Sequence, residues 1–290
     1  MEKRTWVQRR LLQWYSKHRR DLPWRRTNNP YWILVSEIML QQTQVDRVVP
    51  KYQAFLKQFP TLRRLAAAKQ SRVITAWAGL GYNRRARNLH QLAKVVVRQH
   101  AGRLPKTLHD LRALPGIGPY TAAAVASFAF GAPVALVDVN VRRVLGRVHH
   151  GVAGPKRLSE KRVWALAAQH LPANAVAWNS ALMDFGATVC TERAPKCLTC
   201  PLQARCKAYP AVLWQLPQRS KVSEKFADSN RFWRGKIISE LRVAPKRRLR
   251  LQTLQSRLRQ AGFAVARFSD LLQGLVKDGL VRITGEQVRL

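Results

Sequence analysis

Apolar residues recur at three- and four-residue spacings from Trp6 to Leu213, the period of one helical face. Short turns such as Asn29-Pro30, Phe59-Pro60 and Leu104-Pro105 break the run. No stretch of this part alternates with period two, so the pattern predicts helices joined by short connections. Residues 214–230 are polar, carry Pro217 and three serines, and alternate in charge, which predicts a linker. Beyond them the pattern predicts helices near Trp233–Arg242, Leu251–Gln260 and Ser269–Asp278, then a β-hairpin from the alternation on both sides of Thr284-Gly285. Three helices and a hairpin are the order of a winged helix, a DNA- or protein-docking module, or of a small cap that only stabilises its neighbour. The apolar run from Ala122 to Val137 is interrupted by Ser127, Gly131 and Pro133. It is too short and broken for a membrane span and predicts a buried helix.

Composition changes this picture mainly through charge. An apolar content of 47% is ordinary for a folded protein, but 52 Lys and Arg against 15 Asp and Glu leave a formal net charge of +37 on 290 residues. Such an excess repels itself in a compact chain and is relieved by a polyanion, above all by nucleic-acid phosphates. A ribosome-associated basic protein would carry the same signature. Residues 231–290 hold +10 and the rest +27, so both parts are expected to touch DNA. The start, Met1 to Arg10, has no apolar run after its charges, so no signal peptide is expected. The expectation is a soluble, cytoplasmic monomer, nucleoid-associated if prokaryotic, that engages no membrane and keeps its cysteines reduced.

Three constellations carry candidate chemistry. Cys190, Cys197, Cys200 and Cys206 lie in one 17-residue stretch, spaced C-x6-C-x2-C-x5-C. Four thiolates suit zinc or an iron–sulfur cluster equally on spacing alone. Arg193 and Lys196 lie in the longest gap between them. In Leu114-Pro115-Gly116-Ile117-Gly118-Pro119-Tyr120, glycines at alternate positions before a helix let backbone N–H groups meet a phosphate, or simply make a tight helix–helix turn. Among the few acids, Glu37 sits in the apolar run Trp32–Leu40, where burial raises a carboxyl pKa and suits a general acid. Asp138 precedes a predicted helix, where the N-terminal dipole favours an anion. Taken singly, Glu37 reads as a satisfied core acid and Asp138 as an N-cap. An acid that protonates a departing base and an anion that faces the sugar are what N-glycosidic cleavage asks for, once the base has left the stack.

Taken together these motifs resemble the adenine DNA glycosylase family of the endonuclease III, helix–hairpin–helix superfamily. Ser36-Glu37-Ile38-Met39-Leu40-Gln41-Gln42-Thr43-Gln44-Val45 is similar to that family's signature, and Gly79-Leu80-Gly81-Tyr82 to its wedge segment. Val137-Asp138-Val139-Asn140 stands where the family carries its catalytic aspartate, and Met183-Asp184-Phe185-Gly186-Ala187 leads into Cys190 as in its cluster loop. The resemblance implies a mainly α, endonuclease III-like, two-lobed glycosylase fold over residues 1–213. One lobe would be 22–132 and the other 1–21 with 133–213, including a [4Fe–4S] loop at 190–206, followed by a winged-helix-like domain at 231–290.

By the same resemblance Glu37 is the general acid and Asp138 the nucleophile or oxocarbenium stabiliser, supported by Tyr120 and Asn140. Arg20, Leu22, Trp24 and Arg25 line the base pocket. Gln41, Gln42, Thr43, Tyr82, Gly116, Gly118, Arg193 and Lys196 meet double-stranded DNA bearing a mismatch or lesion, and the four cysteines hold the cluster. The resemblance also implies adenine excision opposite guanine or 8-oxoguanine. Tyr120 stands where the lyase branch has a Schiff-base lysine, which implies base release without strand cleavage.

Three positions depart from the family pattern. Val139 replaces a usual glycine, Ser180 replaces a Glu or Gln near the adenine edge, and residues 231–290 do not resemble the family's 8-oxoguanine-recognising domain. These keep open a thymine or uracil mismatch glycosylase and, in a different class, a non-catalytic DNA-structure reader. Gln41-Gln42-Thr43 speaks against the first, and two costly buried acids against the second.

Overall fold

A computed structural model of the chain describes residues 2–152, 158–214, 226, 229–264 and 267–290. Most of the linker expected at 214–230 lies outside the described residues. Helix follows helix from the start: α1 Glu2–His18, α2 Pro30–Leu40, α3 Val45–Gln58, α4 Leu62–Ala67, α5 Gln70–Ala76 and α6 Arg84–Gln99. Then come α7 Leu108–Ala113, α8 Pro119–Phe130, α9 Val139–His150, α10 Glu160–Gln169 and α11 Ala175–Thr188. Among the described residues no strand precedes Arg248. The remainder is α12 Asn230–Val243, β1 Arg248–Arg250, α13 Leu251–Gln260, α14 Phe268–Lys277, β2 Arg282–Thr284 and β3 Gln287–Arg289. No described helix is long and apolar enough to cross a membrane.

Local chemistry sets many of these boundaries. Side chains of Thr61, Asp138, Ser159, Asn174 and Ser229 accept from backbone N–H groups in the first turns of α4, α9, α10, α11 and α12. The apolar run Ala122–Val137 divides at Gly131, which closes α8 in the left-handed conformation.

The chain forms two compact units. The first gathers Met1–Ile33, Lys106–Arg112 and Ile117–Ser220. Its core packs α1, α9, α10 and α11 through Val7, Leu11, Val144, Val163, Trp178 and Phe185. Each such side chain contributes roughly 1.5–3 kcal/mol by leaving water. All of Thr121–Ser127 on α8 is buried, as its alanine-rich, largely apolar sequence favours.

The second unit gathers Leu34–Pro105, Ala113–Gly116 and Lys221–Leu290. Within it α4 and α5 pack on α6, and Phe55 meets Phe59 and Trp77 ring to ring. The C-terminal part shares this unit: Ile74 of α5 joins the core of Trp233, Ile237, Leu241, Leu254 and Leu275. Arg242 donates to the Ile74 carbonyl at 2.9 Å and to Asn83 Oδ1 at 2.8 Å.

Three helices and a hairpin stand where the sequence predicts them, in the winged-helix order, with a third strand added. The sheet runs β1-β3-β2, all antiparallel, with Leu249 and Ile283 both opposite Val288. A three-residue strand as polar as Arg248-Leu249-Arg250 has too little alternation to be read in advance.

Candidate active site

Glu37 belongs to the second unit. The Asn29 side chain accepts from the N–H groups of Tyr31 and Trp32 and so starts α2. The helix then buries every residue from Ile33 to Met39, Glu37 at 3% exposure. A carboxyl group therefore sits in an apolar helix with almost no water.

Asp138 belongs to the first unit, and both its oxygens are held. Oδ1 accepts from the Val141 N–H at 2.7 Å as the cap of α9, and Oδ2 accepts from Asn140 Nδ2 at 2.9 Å. The N-cap reading of Asp138 holds, and the bonds that start the helix also fix the carboxylate. Arg143 Nη2 donates to Asn140 Oδ1 and to the Gly186 carbonyl, while its Nε donates to the Cys190 carbonyl. Gly186 is needed here: a Cβ would stand 2.6 Å from that of Asn140. Val139, the residue in place of glycine, is 67% exposed, whereas Ser180 on α11 is buried at 6%. Tyr120 Oη donates to Met183 Sδ at 4.0 Å.

The DNA-facing candidates of the second unit are organised by a residue the sequence reading passed over. Arg85 on α6 is buried and donates to the carbonyls of Ile38, Met39 and Gln41, to Thr43 Oγ1 at 3.0 Å, and to the carbonyls of Leu80 and Gly81. One guanidinium thereby ties the end of α2, the Gln41-Gln42-Thr43 turn and the approach to Tyr82. Burial lowers its pKa to about 10, so it stays charged at neutral pH. Gln42 (φ 54°) and Tyr82 (φ 45°) both hold left-handed backbone, a strain of about 1 kcal/mol or more each that this network sustains.

In the turn between α7 and α8, Gly116 has φ 80°, and a Cβ there would stand 2.8 Å from that of Asn88. Gly118 faces open space just before Pro119, which leaves the start of α8 uncovered. Arg193 and Lys196 are exposed.

Arg20 and Arg25 converge on Asp184, to which the sequence assigns no role of its own. Asp184 of α11 is fully buried, and its carboxylate accepts from Arg20 Nε at 2.6 Å, Arg25 Nη1 at 2.5 Å and Arg25 Nη2 at 2.9 Å. This clamp pins segment 20–25, with Leu22 and Trp24 buried between the two arginines. The signal for it was present, an acid inside the apolar helix Ala175–Thr188.

Cys190, Cys197, Cys200 and Cys206 are all half-buried, and none forms a disulfide. Burial pushes Cys200 up to about 12, and the neighbouring cysteines add to the rise. Burial also raises Cys197 and Cys206. Arg147 donates to the carbonyls of Thr191 and Glu192 and stands 3.6 Å from Cys190 Sγ. Among the described residues no group of three or more His, Cys, Asp or Glu side chains is arranged to hold a metal ion. The donor set is nevertheless one a cluster would take: Cys197, Cys200 and Cys206, whose proton loss is opposed by burial and by the neighbouring cysteines, would be relieved by cations placed among the four sulfurs.

Residues 35–169 match the family described as "HhH-GPD superfamily base excision DNA repair protein". Over 284 residues the chain is 40% identical to the adenine DNA glycosylase of Mycolicibacterium smegmatis, covering 95% of this chain and 92% of that one. A thermostable thymine-DNA glycosylase superposes with TM-score 0.68 at 34% identity, covering 72% of this chain and 98% of the other. Endonuclease III in a trapped covalent complex with DNA shares the fold with TM-score 0.61 at 24% identity, over 69% of this chain and 92% of that one. The fold and its helix–hairpin–helix segment define a DNA glycosylase scaffold. The chain belongs to the adenine DNA glycosylase family.

Proposed function

We propose that the chain is a monofunctional glycosylase of base excision repair that hydrolyses the N-glycosidic bond of an extruded adenine facing guanine or 8-oxoguanine. The observation that carries this reading is the Asp138 carboxylate, fixed by Val141 N–H and the Asn140 amide, in a chain 40% identical to an adenine DNA glycosylase over 95% of its length. In the reaction Glu37 gives its proton to the base as the bond to the sugar breaks. Asp138 balances the positive charge that develops on the sugar. Water then adds to the sugar carbon and loses a proton, leaving an abasic site. Tyr120 offers no amine for a Schiff base, so the strand stays whole.

Cys190, Cys197, Cys200 and Cys206 would hold a [4Fe–4S] cluster, supported by their donor chemistry and by the family. When bound, that cluster cross-links the loop that presents Arg193 and Lys196 to DNA. Purified protein should be brown and contain about four irons per chain; colourless protein carrying zinc would overturn this assignment.

A second reading, thymine or uracil excision from mismatches, is favoured by the 34% identity to a thymine-DNA glycosylase over nearly all of that protein, and by Ser180. Duplexes carrying A, T, U or C opposite G or 8-oxoguanine, treated with enzyme and then alkali, separate the readings. Alkali-dependent breaks at A uphold the first, and breaks at T or U alone the second. No breaks at any base would leave a DNA reader without catalysis.

A further inference from the structure

The short sheet of the second unit gathers its charge on one side. Arg289 of β3 stands opposite Arg248 of β1 and, across its other edge, opposite Arg282 of β2. Two residues back, Gln287 stands opposite Arg250 and Thr284. Successive residues of a strand point to opposite faces, so these six share one side of the sheet, and all six are exposed. The row between them, Leu249, Val288 and Ile283, takes the other side, where Val288 is fully buried. Like charges directly opposite one another destabilise a sheet, and the row of three arginines repeats that cost on both edges of β3. Nothing nearby offsets it. Among the described residues none of the four arginines makes an ion pair or a side-chain hydrogen bond, and Glu240 and Asp278 are taken by Lys236, Arg257, Arg84 and Arg234. The chain also enters β1 through Lys246 and Arg247, whose left-handed backbone (φ 52° and 53°) is strained for long side chains.

We propose that this arginine face is a separate, sequence-independent DNA contact that grips the phosphates of duplex outside the stretch met by the Gln41-Gln42-Thr43 turn and Tyr82. This rests on the glycosylase reading above, which brings a duplex to the same unit. Strands about 4.8 Å apart and a two-residue rise of about 6.7 Å spread the four guanidiniums over roughly 10 by 7 Å. One DNA strand carries a phosphate per about 3.4 Å of axis, so the face covers about two or three of them. It holds no ring on which an unpaired base could stack and no apolar anchor for a protein partner. Duplex backbone is the occupant that its chemistry fits, and the anion removes the repulsion within the row. The C-terminal part thereby acts as a second clamp on the DNA.

The test uses the full chain and a duplex of about 30 base pairs whose target adenosine, opposite guanine, is made uncleavable, titrated across a salt series. The triple variant Arg248→Thr, Arg282→Thr, Arg289→Thr keeps residues that favour strands. It should bind at least about tenfold more weakly at low salt, and its slope of log affinity against log salt should be shallower by about 2. The matching triple Lys variant keeps three point charges and should keep the slope. The Thr variant should melt no lower than wild type, because the self-repelling row is gone. An unchanged slope with unchanged melting would leave a solvated face or one that meets another macromolecule, and an unchanged slope with lower melting a purely structural row. A Lys variant as weak as the Thr variant would mean that fork geometry, hence base reading, matters more than charge. Each of these three results overturns the proposal. Base release by wild type on the cleavable duplex is measured in parallel. Release with an unchanged slope sinks only this inference, and a shallower slope without release sinks only the glycosylase reading.

Discussion

Arg143 Nη2 donates to Asn140 Oδ1 at 2.7 Å, and Asn140 in turn donates to Asp138. Because the same guanidinium also binds the carbonyls of Gly186 and Cys190, the cysteine loop and the candidate anion share one positioning residue. Burial lowers the Arg143 pKa, while its electrostatic interaction with Cys190 opposes the fall. Arg143→Gln should slow single-turnover base release by about 10–100-fold, the scale of one or two lost charge-assisted hydrogen bonds, with DNA affinity within about threefold of wild type. A merely structural role would lower the melting temperature without this split between rate and affinity, and an unchanged rate would refute the coupling.

Glu37→Gln keeps shape and hydrogen-bonding capacity but has no acidic proton. Base release should fall below detection, at least about 10²-fold, while affinity for the same duplex is retained. A variant turning over near the wild-type rate would remove Glu37 from the acid role. An affinity loss as large as the rate loss would make it a core residue instead.

Much of this site was legible before any coordinates, because its chemistry is written in local strings. Glu37 with Gln41-Gln42-Thr43, the alternating glycines, Asp138 with Asn140 and the four cysteines each occupy one short segment. Arg85, Arg143, Arg147 and Asp184 were not assigned roles, and each of them joins segments far apart in sequence. With 52 Lys and Arg in the chain, no local feature distinguishes the few that are buried from the solvated majority. Asp184 stood out more, being an acid in an apolar helix, yet its partners lie 164 and 159 residues away. The helices at the C-terminal end followed from their periodicity, whereas β1 became a strand only by pairing with β3.

Arg85 offers a test of preorganisation. Its donors hold two left-handed residues, Gln42 and Tyr82, in place, so Arg85→Ala should release that strain, leave several carbonyls unpaired and destabilise the fold by about 2–4 kcal/mol. Arg85→Lys retains charge but satisfies at most three acceptors, and should recover part of the stability while losing affinity for mismatched duplex. Equal behaviour of Lys and wild type in melting and binding would show that the fork is dispensable.

The Asp184 clamp makes a prediction about pH. Burial alone would raise this carboxyl, but the hydrogen bonds and charges of Arg25 and Arg20 outweigh it, and the net shift is downward from 3.8. A depressed folded-state value means that protons bind more readily to the unfolded chain. The clamp's contribution is therefore complete above the unfolded value and vanishes as pH falls through the folded one. Asp184→Asn should lower stability by about 3–5 kcal/mol, because two arginines then lose their buried anion. The gap between wild type and variant should be flat from about pH 8 to about pH 5 and close below about pH 4. Melting curves across that range check it: a gap that instead widened on acidification would mean that Asp184 is protonated in the folded protein and that Arg20 and Arg25 are held by something else.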